Sequence, residues 1–237
     1  MTRYRILLFD ADNTLFDFDR CEEEAFRRTA QRKGLPGGKD LYGRYSAINA
    51  ALWKQYERGK IGLEFLKVER FRLLLRSLGM EDGEELNGKA VGLRDLYTEE
   101  LSEQAFLIPG AEEVCRELSR DFDLYIVTNG ISKIQRNRFA KSGLAPFFRG
   151  MFVSEEIGAK KPDKRYFDAV FERLGDVKKS EVLMIGDSLT SDADGAIGYG
   201  LDFCRYNPEG KPDEGRAVTY TVKKLSEIKD ILNGGAS

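Results

Sequence analysis

An α/β fold built on a parallel sheet is predicted by three features of this 237-residue chain. Short continuous apolar runs recur along it, segments of helical spacing alternate with those runs in its second half, and one charged stretch interrupts the pattern near the start. Continuous apolar runs mark strands covered on both faces, and their alternation with helices marks βαβ units. The expected architecture is a doubly wound parallel core carrying an inserted all-helical domain.

The first strand is read at Arg5-Ile6-Leu7-Leu8-Phe9. Further strands are read at 123–127, 181–185 and 202–206, with a weaker one at 150–153. Helical spacing covers 134–141, 166–174 and 193–199, and a closing amphipathic helix is expected over 222–232. The last four residues, 234–237, are expected to fray. Between about Asp17 and Gln104 no strand is convincing. Apolar residues there, such as Leu52-Trp53, Tyr56, Phe71, Leu74-Leu75 and Leu96-Tyr97, recur three and four apart. Four helices punctuated by Gly34-Leu35-Pro36-Gly37-Gly38, Gly59, Gly79 and Gly88 account for the pattern. An ordinary βα connection takes only a few residues, so roughly 85 residues here form a separate unit. The expected division is 1–16 with 105–237 as core, and 17–104 as the helical domain.

Composition narrows the chemistry. A hydrophobic fraction of 41% suits a folded globular chain, and a net charge of −2 supplies no basic field for polymeric nucleic acid. No apolar run nears the roughly 18 to 20 residues of a membrane span. Met1-Thr2-Arg3-Tyr4-Arg5 leads straight into the first strand, so no secretory leader is expected and a cytoplasmic location is. Cys21, Cys115 and Cys204 lack metal-type spacing, and an odd count does not suit a disulfide framework. The chain contains no histidine. That removes Ser-His-Asp triads, phosphohistidine chemistry and the usual zinc-hydrolase sites together. Acid–base work falls to carboxylates, lysine or tyrosine.

Four segments at or beyond strand ends carry chemistry. Phe9-Asp10-Ala11-Asp12-Asn13-Thr14-Leu15 places two acids where the first strand exits, and open α/β sheets bind ligands at carboxyl strand ends. Alone, such an acid pair is more often a polar turn. Val127-Thr128-Asn129-Gly130 offers a hydroxyl and main-chain amides before a helix, a corner that suits phosphate. Gly158-Ala159-Lys160-Lys161-Pro162-Asp163 holds a lysine before a helix start. Ile185-Gly186-Asp187-Ser188-Leu189-Thr190-Ser191-Asp192 supplies two further acids, oxygen donors suited to a hard cation such as Mg²⁺. The order acid pair, threonine, lysine, acid pair is more specific than any one piece.

With these motifs the chain resembles the haloacid dehalogenase-like (HAD) superfamily, over essentially its whole length. Asp10-Ala11-Asp12-Asn13-Thr14 is similar to the first motif, Thr128 to the second, Lys161 to the third, and Gly186-Asp187 with Asp192 to the fourth. The resemblance implies a Rossmann-like core with a helical cap domain over the site. It also implies a Mg²⁺-dependent phosphomonoesterase working through an aspartyl-phosphate. Asp10 would be the nucleophile and Asp12 the general acid and base. Thr128 and Asn129, with Gly130, would hold phosphoryl oxygens, and Lys161 would neutralise charge. The metal would be bound by Asp10, the carbonyl of Asp12, and Asp187, with Asp192 ligating or supporting.

Within the superfamily the chain looks like the 5′-nucleotidase subgroup, on the stretch Asn49-Ala50-Ala51-Leu52-Trp53-Lys54-Gln55-Tyr56-Glu57-Arg58-Gly59-Lys60-Ile61 together with 128–130 and 153–158. A nucleoside 5′-monophosphate is the implied substrate, with Trp53, Phe16 and Phe18 as candidate walls for a base. For Trp53, packing of the helical domain is the plainer reading. Phosphoglycolate and sugar phosphates stay open as substrates. A haloacid dehalogenase of the same fold is the rival reaction, but it needs neither Asp12 nor the metal-suited acids. Cys21-Glu22-Glu23-Glu24-Ala25-Phe26-Arg27 has the Cys-x5-Arg spacing of cysteine phosphatases, yet three glutamates and no glycine would repel a phosphate dianion. A non-catalytic binding module is opposed by every chemical position being filled.

Overall fold

The computed structural model describes residues 2–35 and 39–234. Residues 36–38 of the expected first glycine turn, and 235–237 of the expected frayed end, lie outside them. The chain divides into two compact units: Met1–Asp19 with Ala105–Ser237, and Arg20–Gln104.

The first unit is the sheet. Its described strands are β1 (Ile6–Phe9), β2 (Asp123–Thr128), β3 (Phe148–Val153), β4 (Val182–Gly186), β5 (Asp202–Tyr206) and β6 (Tyr220–Val222). They run in the order β3-β2-β1-β4-β5-β6, with every adjacent pair parallel. Chain order reverses between β1 and β4, which makes their carboxyl ends the switch point where ligands sit in such sheets.

Strand residues alternate between two cores because successive side chains leave opposite faces. Leu7, Phe9, Leu124, Ile126, Leu183 and Ile185 pack with Val114 and Leu118 of α5 (Ala111–Leu118) and with Ile228 and Leu232 of α10 (Glu227–Leu232). Ile6, Leu8, Val127, Val182, Met184 and Phe203 pack with Tyr166, Phe167 and Val170 of α8 (Lys164–Leu174) and with Ala196 and Tyr199 of α9 (Asp194–Tyr199). This unit also holds α6 (Ser132–Lys141) and the single turn α7 (Ser154–Ile157).

The closing segment departs from its expected helix. Residues 220–222 form strand β6 against β5, and the helix starts only at Glu227, whose carboxylate accepts from the Lys223 main-chain N–H at 2.8 Å. Val222 is apolar because it pairs with Tyr206 in the sheet, not because it begins an amphipathic face.

The second unit is helical: α1 (Phe18–Arg32), α2 (Lys39–Glu57), α3 (Leu63–Ser77) and α4 (Glu84–Ser102), of which α1 begins in the first unit. Gly34, Gly59 and Gly79 take left-handed φ values just past α1, α2 and α3, where a Cβ would be strained. Gly88, expected as a fourth break, lies inside α4, and Gly83 precedes that helix instead. An aromatic stack fills the centre. Phe26 lies on Tyr45 with ring centroids 4.3 Å apart, and Tyr45 meets Phe71 and Tyr97, each at 5.5 Å. A buried relay threads it: Asn49 donates to Glu22 at 2.6 Å, and Arg70 donates to Asn49 at 3.3 Å while lying over the Tyr97 ring. Cys21 and Arg27 sit on the single helix α1, Cys21 buried and Arg27 exposed on Glu24, so they form no phosphate cradle.

Leu183 is wholly buried in the sheet core. Leu183→Ala should destabilise the fold by about 2–5 kcal/mol, read as a lowered urea midpoint.

Candidate active site

Asp10 and Asp12 lie on the exit from β1, the central strand of the switch point. The chain turns sharply there. Asn13 adopts φ 59°, a left-handed conformation that asparagine tolerates, and its Oδ1 accepts from the Phe18 N–H at 3.1 Å. The Asn13 N–H donates to the Phe16 carbonyl, which closes the turn.

Lys161 ties the site together. Its ammonium donates to Asp10 Oδ1 at 2.6 Å, Asp192 Oδ1 at 2.7 Å and the Val127 carbonyl at 2.8 Å. All three donors are used, and the side chain is 1% exposed. Burial pulls the ammonium pKa down, but Asp10 and Asp192 more than reverse this and hold it above its ordinary value. Asn129 fixes the backbone here: its side chain donates to the Lys161 carbonyl and accepts from the Lys161 N–H, both at 2.9 Å. The Lys161–Pro162 peptide is cis.

Asp187 and Asp192 come from the exit of β4. Ligand oxygens of Asp10, Asp187 and Asp192 lie within 4.8 Å of one another. Thr14 donates to Asp187 at 3.4 Å. Burial pushes the Asp10 carboxyl well above its ordinary range, Lys161 opposes this, and the neighbouring aspartates add to it. Burial, then Asp192, pushes Asp187 up to about 7. Crowded carboxylates that are costly to ionise, offering hard oxygen donors, fit a small divalent cation. Asp192 is less open to it than Asp187, because its oxygens already accept from Lys161 and from the Ser188 N–H. Gly186 makes that arrangement sterically feasible: a Cβ there would fall 2.4 Å from Asp192 Oδ2.

The other predicted residues are placed as follows. Thr128 is buried at the end of β2, and its hydroxyl accepts from the Gly130 N–H at 3.1 Å. That amide is therefore engaged within the protein, and Gly130 serves a second purpose: a Cβ there would overlap Gln135. Phe18 is half-buried. Phe16 is 0% exposed, packed in the sheet core under the Arg138 guanidinium at 4.5 Å, so it presents no face to a base. Its expected role as a substrate wall is corrected on that ground. Trp53, on α2, is half-buried and meets Tyr56 edge-on at 5.5 Å.

Two site residues escaped the sequence reading. Asp12 accepts from Gln135 at 2.5 Å and from Arg138 at 2.6 Å. Both donors are buried on α6, three residues apart and so on one helix face. The available signal was a glutamine and an arginine on the sheet side of a helix, where apolar residues are expected.

Residues 4–200 match the haloacid dehalogenase-like hydrolase family. The chain belongs to the haloacid dehalogenase-like hydrolases. It is 43% identical over 235 residues to the HAD-hydrolase YfnB of Bacillus subtilis, covering 98% of this chain and 97% of that protein. A crystal structure of YfnB bound to magnesium matches with a TM-score of 0.90 at 41% identity, covering 98% of this chain and 100% of that one. The pyrimidine 5′-nucleotidase PynA of Streptococcus pneumoniae is 36% identical, covering 97% of this chain and 95% of that protein. The pyrimidine 5′-nucleotidase YjjG of Escherichia coli is 32% identical, covering 95% and 96%. This HAD hydrolase is of the phosphatase type, a phosphoric monoester hydrolase. Among its described residues no helix is long and apolar enough to cross a membrane.

Asp187 gives the HAD site a pH signature. A carboxyl held near 7 when folded, against about 4 unfolded, makes the folded state bind the extra proton between those values. Stability from this group is present at low pH and lost as pH rises towards 7. In chelator, the melting temperature should fall between about pH 4 and pH 7, and Asp187→Asn should flatten that fall.

Proposed function

We propose that this HAD-type phosphatase hydrolyses nucleoside 5′-monophosphates through an aspartyl-phosphate on Asp10. The observation that carries the reading is Lys161 clamped between Asp10 and Asp192 beside Asp187. Magnesium is the proposed cation, held by Asp10, Asp187 and the Asp12 carbonyl, with Asp192 supporting through Lys161 and the Ser188 amide. Bound there, the ion would offset the repulsion between the Asp10 anion and an anionic phosphoryl group.

The chain's own residues divide the work. Lys161 holds Asp10 Oδ1 and leaves Oδ2 for attack on phosphorus. Thr128 orients the phosphoryl group. As the P–O ester bond breaks, Asp12 protonates the leaving oxygen. It then takes a proton from the water that attacks the aspartyl-phosphate, and the Asp10–phosphorus bond breaks to release phosphate. Gln135 and Arg138 hold the Asp12 side chain in position. A dehalogenase reaction needs no leaving-group acid and no such anchoring.

The helical unit is the proposed cap, and Trp53 on α2 and Phe18 at the start of α1 are the proposed contacts with a base. Identity to two pyrimidine 5′-nucleotidases across nearly the whole chain supports a nucleotide over phosphoglycolate or a sugar phosphate.

Asp10→Asn should abolish turnover of p-nitrophenyl phosphate while keeping the circular dichroism spectrum. Magnesium should raise the melting temperature of the unaltered protein, and Asp187→Asn should remove that rise. In a magnesium-supplemented panel, UMP, dUMP or dTMP should exceed phosphoglycolate and hexose phosphates in kcat/KM by tenfold or more, roughly 1.4 kcal/mol of transition-state preference. Phosphoglycolate or a hexose phosphate leading the panel would end the nucleotide assignment.

A further inference from the structure

Two of the three buried residues of α6 are polar. Gln135 is 2% exposed and Arg138 0%, at positions where a helix packed on a sheet ordinarily carries apolar side chains. Both are spent on Asp12: Gln135 Nε2 reaches one carboxylate oxygen at 2.5 Å, and Arg138 Nη1 reaches the other at 2.6 Å. Gln135 does so at a cost, because its Oε1 is buried and meets no donor. Burying a guanidinium is costly too, and an apolar pair of similar volume commonly packs as well. Polar side chains kept under such penalties point to a task other than holding the fold.

The grip on Asp12 is braced at both ends of α6. The Arg138 guanidinium lies over the Phe16 ring at 4.5 Å, and Phe16 is paired with Asp12 in a β-bridge across the turn. At the other end α6 has no side-chain cap from Ile131, and the Ser132 N–H donates instead to Glu155 on α7 at 2.8 Å. Glu156 accepts from the Ser132 hydroxyl, and from Arg136 at 2.7 and 2.6 Å. Two acids of the stretch 153–158 thus fasten the first turn of α6, where negative charge also suits the helix dipole.

We propose that Gln135 and Arg138 are positioning residues for the acid step, and that α7 serves that step at one remove by fixing α6 through Glu155 and Glu156. These roles rest on Asp12 being the group that protonates the leaving oxygen. As the P–O ester bond breaks, the proton passes from Asp12 to that oxygen and a carboxylate remains. Two N–H donors already in place match the carboxylate and keep it where it can next take a proton from water. Their effect therefore grows with the leaving group's need for a proton.

The test compares kcat/KM for benzyl phosphate and p-nitrophenyl phosphate in magnesium buffer. A benzyl alkoxide needs the proton, whereas p-nitrophenolate leaves readily without it. Both values come from one preparation, so their ratio does not depend on how much of a variant is folded. Asp12→Asn should lower the benzyl-to-nitrophenyl ratio about 100-fold, Arg138→Met about tenfold and Gln135→Leu about fivefold. Glu155→Ala combined with Glu156→Ala, at exposed positions, should lower it about threefold. In an Asp12→Asn background Arg138→Met should lower it no further, and an additional fall there overturns action through Asp12. Gln135→Leu carries the test should Arg138→Met not fold. Ratios within about twofold of the unaltered enzyme in both α6 variants, with a fall in Asp12→Asn, overturn the positioning roles and leave the acid reading standing. A ratio that Asp12→Asn does not move ends both. A fall in the α6 variants without one in the Glu155 and Glu156 double variant removes α7 from the role.

Discussion

A lysine ammonium with 1% exposure, gripped by two carboxylates and a carbonyl, is the contact on which the rest of the site depends. Breaking such a buried pair strands an uncompensated charge, which costs far more than the pair gains. Asp10, Asp192 and Lys161 therefore hold one another in place. The neighbouring charge is not balanced: Asp187 is pushed up to about 7 because burial and Asp192 both oppose its ionisation. Carboxylates crowded in this way suit a cation, and the proposed magnesium would in turn draw a phosphoryl group.

The sheet provides the geometry. Parallel strands bring every carboxyl end to one edge, and the order reversal between β1 and β4 opens a gap there. Asp10 and Asp187 leave the two strands that flank the gap. Close approach then demands small residues in the loops. Gly186 lets Asp192 fold back over the end of β4, and Gly130 lets Gln135 reach Asp12.

The helical unit has a core of its own, built on Phe26, Tyr45, Phe71 and Tyr97 and threaded by Glu22, Asn49 and Arg70. An independent core suits a unit whose surface can vary among relatives while the chemistry beside the sheet stays the same. The helical unit is therefore the proposed source of substrate choice in this chain.

Local pattern alone determined the parallel α/β class and the helical insertion, which follow from periods of 2.0 and 3.6 residues, properties of neighbours in the chain. It also put acids, a threonine and a lysine at strand ends, but joining Asp10, Asp12, Thr128, Lys161 and Asp187 into one site took their order along the chain and the resemblance to the HAD superfamily. Tertiary structure decided what depends on residues distant in sequence. Gln135 and Arg138 reach Asp12 from more than a hundred positions away, Phe16 is drawn under Arg138 and lost to the substrate, and Tyr220–Val222 becomes a strand only because β5 lies beside it. Asp187 and Asp192 look alike in sequence, yet Asp187 accepts only a long 3.4 Å bond from Thr14 while Asp192 accepts short ones from Lys161 and from the Ser188 N–H. Hydrogen bonding and burial draw that distinction, and both are set only when the chain has closed on itself.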